Sequence, residues 1–452
     1  MSDNFPEYVD RTGDEMKALE AQMRPAGGAA RNYVAPPADG YDVHGIWHSF
    51  GSHHRTGYAT HAVSLHWMLS KVMGIPTQLV PHRNVDIDIE RFPKDRYQML
   101  FDWTKEAVGH PHALFCSWPP EVASEMEGVS KHLVPYCAFE GDRVSAYCKS
   151  LAMGPIFSDI WVVSQFVKSA FVEAGVDGGR VHVVRPMLSE GPWTLPAIDG
   201  LANRKNRPVT DEDPLVLGVL GTWQKRKGMH DLIRAYFGAF KREHPVKLLI
   251  KTSAFGDNLT IKQFKEKLTG EIAEIAKEFG DHGFPSSARM PRISLDLGTD
   301  MTDQEVIAWL GELDCYVNPS YGEGLGIPHV WAKTMGVPMV SSTYGAVADM
   351  VNEIGTIVGS SKDTLFTHQL VEVGPEVRKI ALMFDKRTRW GGYEVEALGA
   401  AMLKQLSAGR VFDGAGAAAA RRMFSADACL PAVKSGLAKL ADEDRAKAWG
   451  LT

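Results

Sequence analysis

The feature that most constrains this chain is an alternation of short apolar runs with longer amphipathic segments, which occurs in two successive series. The first series starts near Val43, and its strand-like runs are VHGIWHSF, ALFCSW (Ala113 to Trp118), IWVVS (Ile160 to Ser164) and VHVVRP (Val181 to Pro186). Such an alternation indicates βαβ units, which place parallel strands in one sheet with helices on its faces. The first series therefore predicts a doubly wound α/β domain.

A second series follows a polar, proline-bearing stretch from Pro196 to Pro214, which has the composition of a linker. It predicts strands at 215–221, 247–252, 292–298 and 315–320, and helices at 229–240, 261–279 and 303–310. At 452 residues the chain is too long for one ordinary hydrophobic core. We therefore predict an N-terminal appendage and linker (1–40), two Rossmann-like domains (41–205 and 206–400) and a C-terminal helical segment (401–452). A ligand cleft is expected between the carboxyl ends of the two parallel sheets.

Composition narrows the class of protein. Hydrophobic residues make up 44% and charged residues 23% of the chain, which is typical of a soluble globular protein. The net charge of −6 disfavours nucleic acid as the main partner without excluding it. Five cysteines without a CxxC pair favour a reducing compartment, and no apolar run of roughly 18 residues or signal peptide is present. We expect a cytoplasmic protein, with peripheral membrane contact left open.

The segment NPSYGEGLGIP, from Asn318 to Pro328, is the first candidate site. Its glycines let a backbone approach a ligand closely, and a proline is tolerated in the first turn of a helix. The amides of Gly324, Leu325 and Gly326 would face an anion at the positive end of that helix. Glu323 beside a phosphate suits the hydroxyl groups of a sugar joined to that phosphate. The alternative is a glycine turn with a solvated glutamate.

The segment GTWQKRKGMHDLIRAY, from Gly221 to Tyr236, is the second candidate site. A strand is predicted to end at Gly221, and the following loop carries Lys225, Arg226 and Lys227. Cations at the carboxyl end of a strand can hold a diphosphate from the side opposite to backbone amides. The alternative is a solvated basic turn.

The order and spacing of these two segments resemble the nucleotide-binding half of retaining glycosyltransferases with the GT-B fold. The family is the large one, glycosyl transferases group 1, that contains bacterial mannosyl- and glucosyltransferases and sucrose synthase. The resemblance covers roughly 43–402 and includes RKG…LI.AY, MTDQEVIAWLGELDCYVNPS, EGLGIP, GVPMVSS and GAVADMV. In the first half, VPYCAFEGDRV and IWVVSQFVKSAFVEAGV resemble the acceptor half. The resemblance implies two Rossmann-like domains that face each other across a cleft, with the C-terminal segment crossing back to the first domain.

The resemblance also implies roles for individual residues. Glu323 matches the glutamate that binds the hydroxyls of the donor sugar, and the backbone of Leu325 and Gly326 would hold the distal phosphate. Lys227 matches the lysine that binds the diphosphate. Family members retain the anomeric configuration without a divalent metal, and the leaving diphosphate helps to deprotonate the acceptor. No cofactor is therefore expected besides the donor, a UDP- or GDP-sugar.

Two positions depart from the family's pattern. The family's second glutamate, which binds the nucleotide ribose, is replaced by Trp331, whose indole could stack on a sugar or base instead. The arginine that directly follows the glycine at the strand end is replaced by Thr222, and Arg226 could supply its guanidinium from a shifted position. Trp331 and Thr222 are therefore kept as donor-site candidates.

The segment FGSHHRTGYATH, from Phe50 to His61, occupies the place of the family's glycine-rich loop. The resemblance implies that Gly51 faces the donor phosphate and that His53, His54 and Tyr58 reach the acceptor. Glu140 is a further acceptor candidate, with a surface salt bridge as the alternative. No HExxH and no accompanying cysteines or carboxylates at ligand spacing support a metal site. The family's donor-sugar histidine is absent from SWPP (117–120), which could be only a rigid turn.

The sequence thus predicts a retaining glycosyltransferase that binds a nucleoside diphosphate sugar in the second domain. The acceptor could be a glycan, a lipid-linked sugar, a protein or a small molecule. Two alternatives stay open: a non-catalytic glycosyltransferase-like binding subunit, favoured by Thr222 and Trp331, and a sugar-nucleotide epimerase on the same fold.

Overall fold

The computed structural model describes residues 46–50, 57–81, 111–116, 130–205, 207–254, 259–279, 290–297, 301–375, 377 and 383–451. The expected N-terminal appendage (1–40) lies outside the described residues. So do three of the candidate site residues, Gly51, His53 and His54, and the segment SWPP.

The first half of the chain forms a parallel sheet, whose described strands run in the order β2-β1-β3-β4-β5-β6. Its strands are β1 Ile46–Phe50, β2 Thr77–Pro81, β3 Ala113–Cys116, β4 His132–Cys137, β5 Ile160–Val162 and β6 Val181–Val183. The connecting helices include Gly57–Trp67, extended by a π-helical turn at Met68–Val72, then Ala146–Met153, Gln165–Glu173 and Ile198–Lys205.

Helices cover the faces of this sheet, so its central strands are buried and apolar. β3 and β5 are buried along their whole length, and the rings of Phe115 and Trp161 pack with centroids 4.6 Å apart. β5 is shorter than the apolar run that indicated it, whereas β4 and β2 lie in stretches where no strand was expected.

The second half forms another parallel sheet, with the order β12-β11-β10-β7-β8-β9. Its strands are β7 Leu215–Leu220, β8 Val246–Lys251, β9 Arg292–Asp296, β10 Cys315–Asn318, β11 Met339–Ser342 and β12 Thr364–Phe366; β13 Gln369–Glu372 and β14 Arg389–Gly392 form an antiparallel pair. Its helices are Met229–Ala239, Ile261–Glu278, Asp303–Glu312, Ile327–Thr334, Gly345–Val358 and Val395–Ala408. The two predicted α/β sheets are therefore present.

Local sequence signals explain several of these boundaries. Thr260 and Thr302 each form a capping box with the residue three positions later, which satisfies amides at the helix start. β10 ends at Asn318, two residues before the expected end, because Pro319 has no N–H for a ladder.

The helices Gly414–Met423, Ala426–Ala438 and Glu443–Ala448 form the end of the chain. They contact the first half: the Leu188 amide donates to the Phe424 carbonyl at 2.9 Å, and the Lys439 ammonium donates to the Gly179 carbonyl at 2.7 Å. The Arg421 guanidinium donates to the Thr334 carbonyl of the second half at 2.9 Å, so the C-terminal helices contact both halves. No described helix has both the length and the apolar composition needed to cross a membrane.

Candidate active site

The candidate site lies where β7 and β10 run side by side in the second sheet. Cys315 pairs with Leu217 and Tyr316 with Gly218, so the two strands end together at the same edge. From β7 the chain continues to β8 on one side, and from β10 to β11 on the other. This is the topological switch point of an open α/β sheet, where the loops diverge and leave a crevice for a ligand. The two candidate segments of the sequence are the loops at this point.

Backbone hydrogen bonds hold the two loops together. Lys225–Lys227 form a 3₁₀ turn, and the Arg226 carbonyl accepts a hydrogen bond from the Tyr321 amide at 2.8 Å. The Tyr393 hydroxyl donates to the Pro319 carbonyl at 2.5 Å. The side chains of both loops therefore start from a fixed backbone frame.

Four charged side chains meet at this point, and we call Glu140, Arg226, Lys227 and Glu323 the charge cluster. The Lys227 ammonium lies 2.5 Å from Glu323 Oε1. Arg226 Nη1 donates to the Gly322 carbonyl at 2.7 Å and lies 3.5 Å from Glu323 Oε1, while its Nη2 lies 3.3 Å from Glu140 Oε1. Arg226 thus bridges a carboxylate of the first domain and one of the second.

Glu323 is held as a carboxylate. Burial alone would raise its pKa, but the charges of Lys227 and Arg226 outweigh burial and hold that pKa well below its usual range. Its side chain is 9% exposed, so the site is largely shielded from water. An ionised glutamate in such a place accepts hydrogen bonds strongly, as recognition of sugar hydroxyls requires.

The glycines of the second segment allow a close approach, but by the first domain. A Cβ at Gly322 would overlap the Glu140 carbonyl oxygen, and one at Gly324 would lie 2.7 Å from the Phe139 amide nitrogen and carbonyl oxygen. The Ser164 hydroxyl donates to the Gly324 carbonyl at 2.6 Å. The sequence predicted that these glycines admit a ligand; in the structure they admit the backbone of Phe139 and Glu140 across the cleft.

Tyr58, an acceptor candidate, supports that segment of the first domain. Its hydroxyl donates to the Ala138 carbonyl at 3.2 Å. The structure therefore brings Tyr58 and Glu140 to the side of the cleft that faces Glu323. Ser164 was missed by the sequence reasoning, and its place at the end of β5 is the signal that could have indicated it.

The helix Ile327–Thr334 begins directly behind the loop. Gly326 precedes it with φ +77°, a left-handed conformation that favours glycine, and Pro328 stands in its first turn. The amides of Gly324, Leu325 and Gly326 have no hydrogen-bond acceptor among the described residues. Unused amides at a helix start, with the dipole behind them, are groups that can bind an anion.

Residues 294–373, which include this loop and helix, match the family model described as "Glycosyl transferases group 1". The predicted resemblance to the group 1 glycosyltransferases is confirmed. No curated protein sequence matches the chain significantly.

Solved structures of glycosyltransferases share the fold of this chain. Anabaena HepE in complex with UDP and glucose is 14% identical with a TM-score of 0.56, over 87% of this chain and 99% of HepE. Sucrose-phosphate synthase from Thermosynechococcus elongatus is 15% identical with a TM-score of 0.56, over 87% and 98%. A glycosyltransferase from Rickettsia africae is 12% identical with a TM-score of 0.53, over 89% and 100%. At these identities the likeness shows the fold, which is the expected GT-B arrangement.

The two positions that depart from the group 1 glycosyltransferase pattern have different surroundings. Thr222 lies in the loop after β7, where its hydroxyl accepts a hydrogen bond from the Gln224 side chain at 2.8 Å. Trp331 is 3% exposed; its indole N–H donates to the Leu188 carbonyl at 3.2 Å, and its ring packs against Trp193. The ring of Trp331 is therefore buried, and it offers no open face to a ligand at the charge cluster.

His329 is a polar residue of this helix that the sequence reasoning did not single out. It is 3% exposed, and its ring packs edge-on against Tyr316 with centroids 4.8 Å apart. Its position one residue after Pro328, among apolar neighbours in the first turn of the helix, is the signal that could have indicated it.

Proposed function

We propose that this protein is a retaining glycosyltransferase that moves a sugar from a nucleoside diphosphate sugar to an acceptor hydroxyl. The observation that carries the proposal is the convergence of Glu323, Lys227 and Arg226 beside unused helix-start amides at the switch point. The HepE complex contains UDP and glucose, which supports a UDP-sugar as the first donor to test, with a GDP-sugar as the second.

In this structure both cations are paired with carboxylates, Lys227 with Glu323 and Arg226 with Glu140. A donor diphosphate would compete for both cations and take up the amides of Gly324, Leu325 and Gly326. Glu323 would then exchange its ammonium partner for the hydroxyls of the donor sugar. The proposal thus makes donor binding an exchange of ion pairs rather than the filling of an open cavity.

In the proposed reaction the bond between the anomeric carbon and the diphosphate oxygen breaks, and a bond to the acceptor oxygen forms on the same face. The acceptor proton passes to the leaving diphosphate, so no protein base is required. Lys227 and Arg226 would stabilise the charge that develops on the diphosphate, which lowers the barrier because this stabilisation is greatest in the transition state. The reaction needs no divalent metal.

The acceptor side of the proposal rests on Tyr58 and Glu140, with His53 and His54 as further acceptor candidates, while Gly51 is proposed for the donor side. Glu140 is fixed to Arg226 at 3.3 Å and is therefore within reach of a group bound beside the donor. A glycan, a lipid-linked sugar, a protein or a small molecule could supply the hydroxyl. We also propose a cytoplasmic location, which the five buried free thiols support.

Burial of Trp331 favours a second candidate, a glycosyltransferase-like subunit without catalysis. A buried tryptophan with its N–H committed to Leu188 cannot accept hydrogen bonds from a nucleotide ribose. Such a subunit would capture a glycan or a partner protein without transferring sugar.

Thermal unfolding with UDP, GDP, ADP, CDP, dTDP and CMP tests the proposal. A ligand that binds only the folded protein stabilises it by mass action and so raises Tm. At a hundredfold excess over Kd the free energy of unfolding rises by about 2.7 kcal/mol. We expect one nucleotide to stabilise the protein selectively. No stabilisation by any of them at millimolar concentration would contradict a donor site and favour the non-catalytic subunit.

Product analysis separates the chemistries once a donor is known. The matching sugar nucleotide is incubated with an acceptor mixture, and the anomeric configuration of the product is determined by NMR. Retention is expected. Inversion would contradict the proposed mechanism, and epimerised sugar nucleotide without an acceptor would identify an epimerase.

A further inference from the structure

The charge cluster is electrically balanced, with Arg226 and Lys227 opposed by Glu140 and Glu323. A sugar nucleotide brings one negative charge on each of its two phosphates into this shielded place. Burying uncompensated charge is costly, so a balanced site needs an additional positive charge when the donor is bound. Lys225 in the same loop is exposed and does not belong to the buried cluster.

His329 is placed to supply that charge. It lies in the first turn of Ile327–Thr334, and its ring is packed so closely against Gly326 that a Cβ there would overlap it. Neither ring nitrogen has a hydrogen bond of acceptable geometry to the described residues. Leaving buried polar atoms unpaired destabilises the folded protein, and an apolar side chain in this place would avoid that cost. The imidazole therefore gains its partners only in another state of the site.

We propose that His329 takes up a proton when the diphosphate of a sugar nucleotide binds, and so becomes the third cation of the loaded site. This inference rests on the proposed function. The anion would dock at the start of the helix that carries His329, next to Gly326, where its charge favours an imidazolium. His329 is thus a positioning residue that adjusts the charge of the site to its ligand.

The groups around His329 in this structure favour a neutral ring. Burial lowers its pKa to about 4, against the opposing effects of the Glu323 carboxylate and the Gly326 carbonyl, and Lys227 lowers it further. From β10 it meets the Tyr316 phenol, whose hydroxyl is committed to the Leu220 carbonyl at 3.1 Å. The helix Gly345–Val358 brings Val347, which is apolar, to the neighbouring Gly326.

The sign of the pH effect follows from proton uptake. At neutral pH the protein without donor holds His329 unprotonated, and the complex would hold it protonated. Affinity for the sugar nucleotide should therefore rise as pH falls below the loaded-state pKa of His329, by up to about tenfold per pH unit, until pH approaches the pKa of about 4 that His329 has without donor. Sugar nucleotides suit this test because their diphosphate has no protonation step between the acidic and the neutral range.

Isothermal titration calorimetry tests the proposal, with UDP-glucose and GDP-mannose as probes at about pH 6, near the ordinary pKa of histidine. Titrations in two buffers of different ionisation enthalpy give the number of protons taken up on binding. We expect wild type to take up a large fraction of a proton and His329→Gln to take up none, with weaker binding. His244→Gln is the matched control, because His244 lies in the second half of the chain, is partly exposed and accepts a hydrogen bond from the Lys241 amide.

Three results would overturn the proposal. If wild type binds a probe without taking up a proton, the proposal for His329 is overturned while the proposed function stands. This measurement needs no variant, so it decides the question even if His329→Gln does not fold. Uptake that persists in a folded His329→Gln would assign the proton to another group, such as Glu323. Failure of both probes and of the nucleotide panel to bind would refute the proposed function, and the inference with it.

Discussion

Two clusters of charged side chains lie at opposite ends of the helix Ile327–Thr334. They differ in whether the hydrogen-bonding groups around them have partners within the protein. At its start stands the charge cluster, whose side chains are between 9% and 21% exposed. Toward its end Lys333 lies 2.5 Å from Asp363 Oδ2 and 2.6 Å from Asp413 Oδ2, and these three side chains are 0%, 0% and 7% exposed. We call them the Lys333 cluster.

The Lys333 cluster has its hydrogen bonds satisfied by the protein. Asp363 also accepts from the Met339 amide at 2.8 Å, and Asp413 from the Gly416 amide at 2.9 Å. It ties the helix to β11 and to the C-terminal helices, with no atom free for a ligand. The charge cluster instead lies beside unused amides and an imidazole without partners. Unused hydrogen-bonding groups, rather than burial of charge, therefore distinguish a binding site from a structural one.

The largest expected effect is on stability, from Lys333→Met. Removing one partner of a buried ion cluster leaves carboxylates without compensation, which costs about 3–5 kcal/mol of unfolding free energy. Chemical denaturation measures this loss, with Lys362→Met as the matched control because Lys362 is exposed nearby. Activity per folded molecule should not change. If Lys333→Met loses no more unfolding free energy than the control, the Lys333 cluster does not stabilise the fold.

Glu323→Gln should show the opposite pattern. The amide keeps the shape but loses the charge that accepts hydrogen bonds from the donor sugar, so transfer should fall roughly 10²–10³-fold. Stability should fall by less than in Lys333→Met, because the side chains of the charge cluster are 9–21% exposed whereas those of the Lys333 cluster are at most 7% exposed. Steady-state kinetics and denaturation are measured together, with the exposed Glu396→Gln as control. Full transfer activity would remove Glu323 from the site.

Arg226→Lys should have an intermediate effect. A lysine cannot span the Gly322 carbonyl and both carboxylates as the planar guanidinium does. We expect kcat/KM to fall roughly tenfold, the equivalent of about 1.4 kcal/mol. Unchanged kinetics would show that charge alone, without the bridge to Glu140, is sufficient.

The smallest effect concerns acid stability. The pKa of Glu323 is depressed in the folded protein, so its contribution to stability is present above its ordinary value of 4.5 and is lost as pH falls below it. Wild type should therefore lose more unfolding free energy than Glu323→Gln on acidification below about pH 4.5. If both proteins lose the same unfolding free energy on acidification, the ion pairs of Glu323 contribute nothing to the stability of the folded state.

Local patterns predicted most of the second domain. The strands at 215–220 and 246–251 and the helix at 261–278 agree with their sequence patterns to within two residues, because apolar alternation and a capping box mark their limits. Lys227 and Glu323 could be paired from sequence, since both follow strands that become neighbours at a switch point. The domain boundaries remain a prediction.

Contacts between distant parts of the chain could not be predicted. The bridge from Arg226 to Glu140 depends on how the two domains face each other, which no local pattern encodes. The same holds for Trp331: the sequence left open that its indole stacks on a sugar or base, whereas in the structure its N–H donates to the Leu188 carbonyl and its ring packs against Trp193. His329 was missed because a single histidine in an apolar helix is usually a packing residue.

The most direct test of the account is binding of the stabilising nucleoside diphosphate to two lysine variants of one loop. Lys227 lies in the charge cluster, whereas Lys225, two residues earlier, is exposed. Calorimetry should show that Lys227→Met lowers affinity at least tenfold, about 1.4 kcal/mol, while Lys225→Met stays near wild type. Equal affinity of Lys227→Met and wild type would contradict the claim that the charge cluster is where the diphosphate binds.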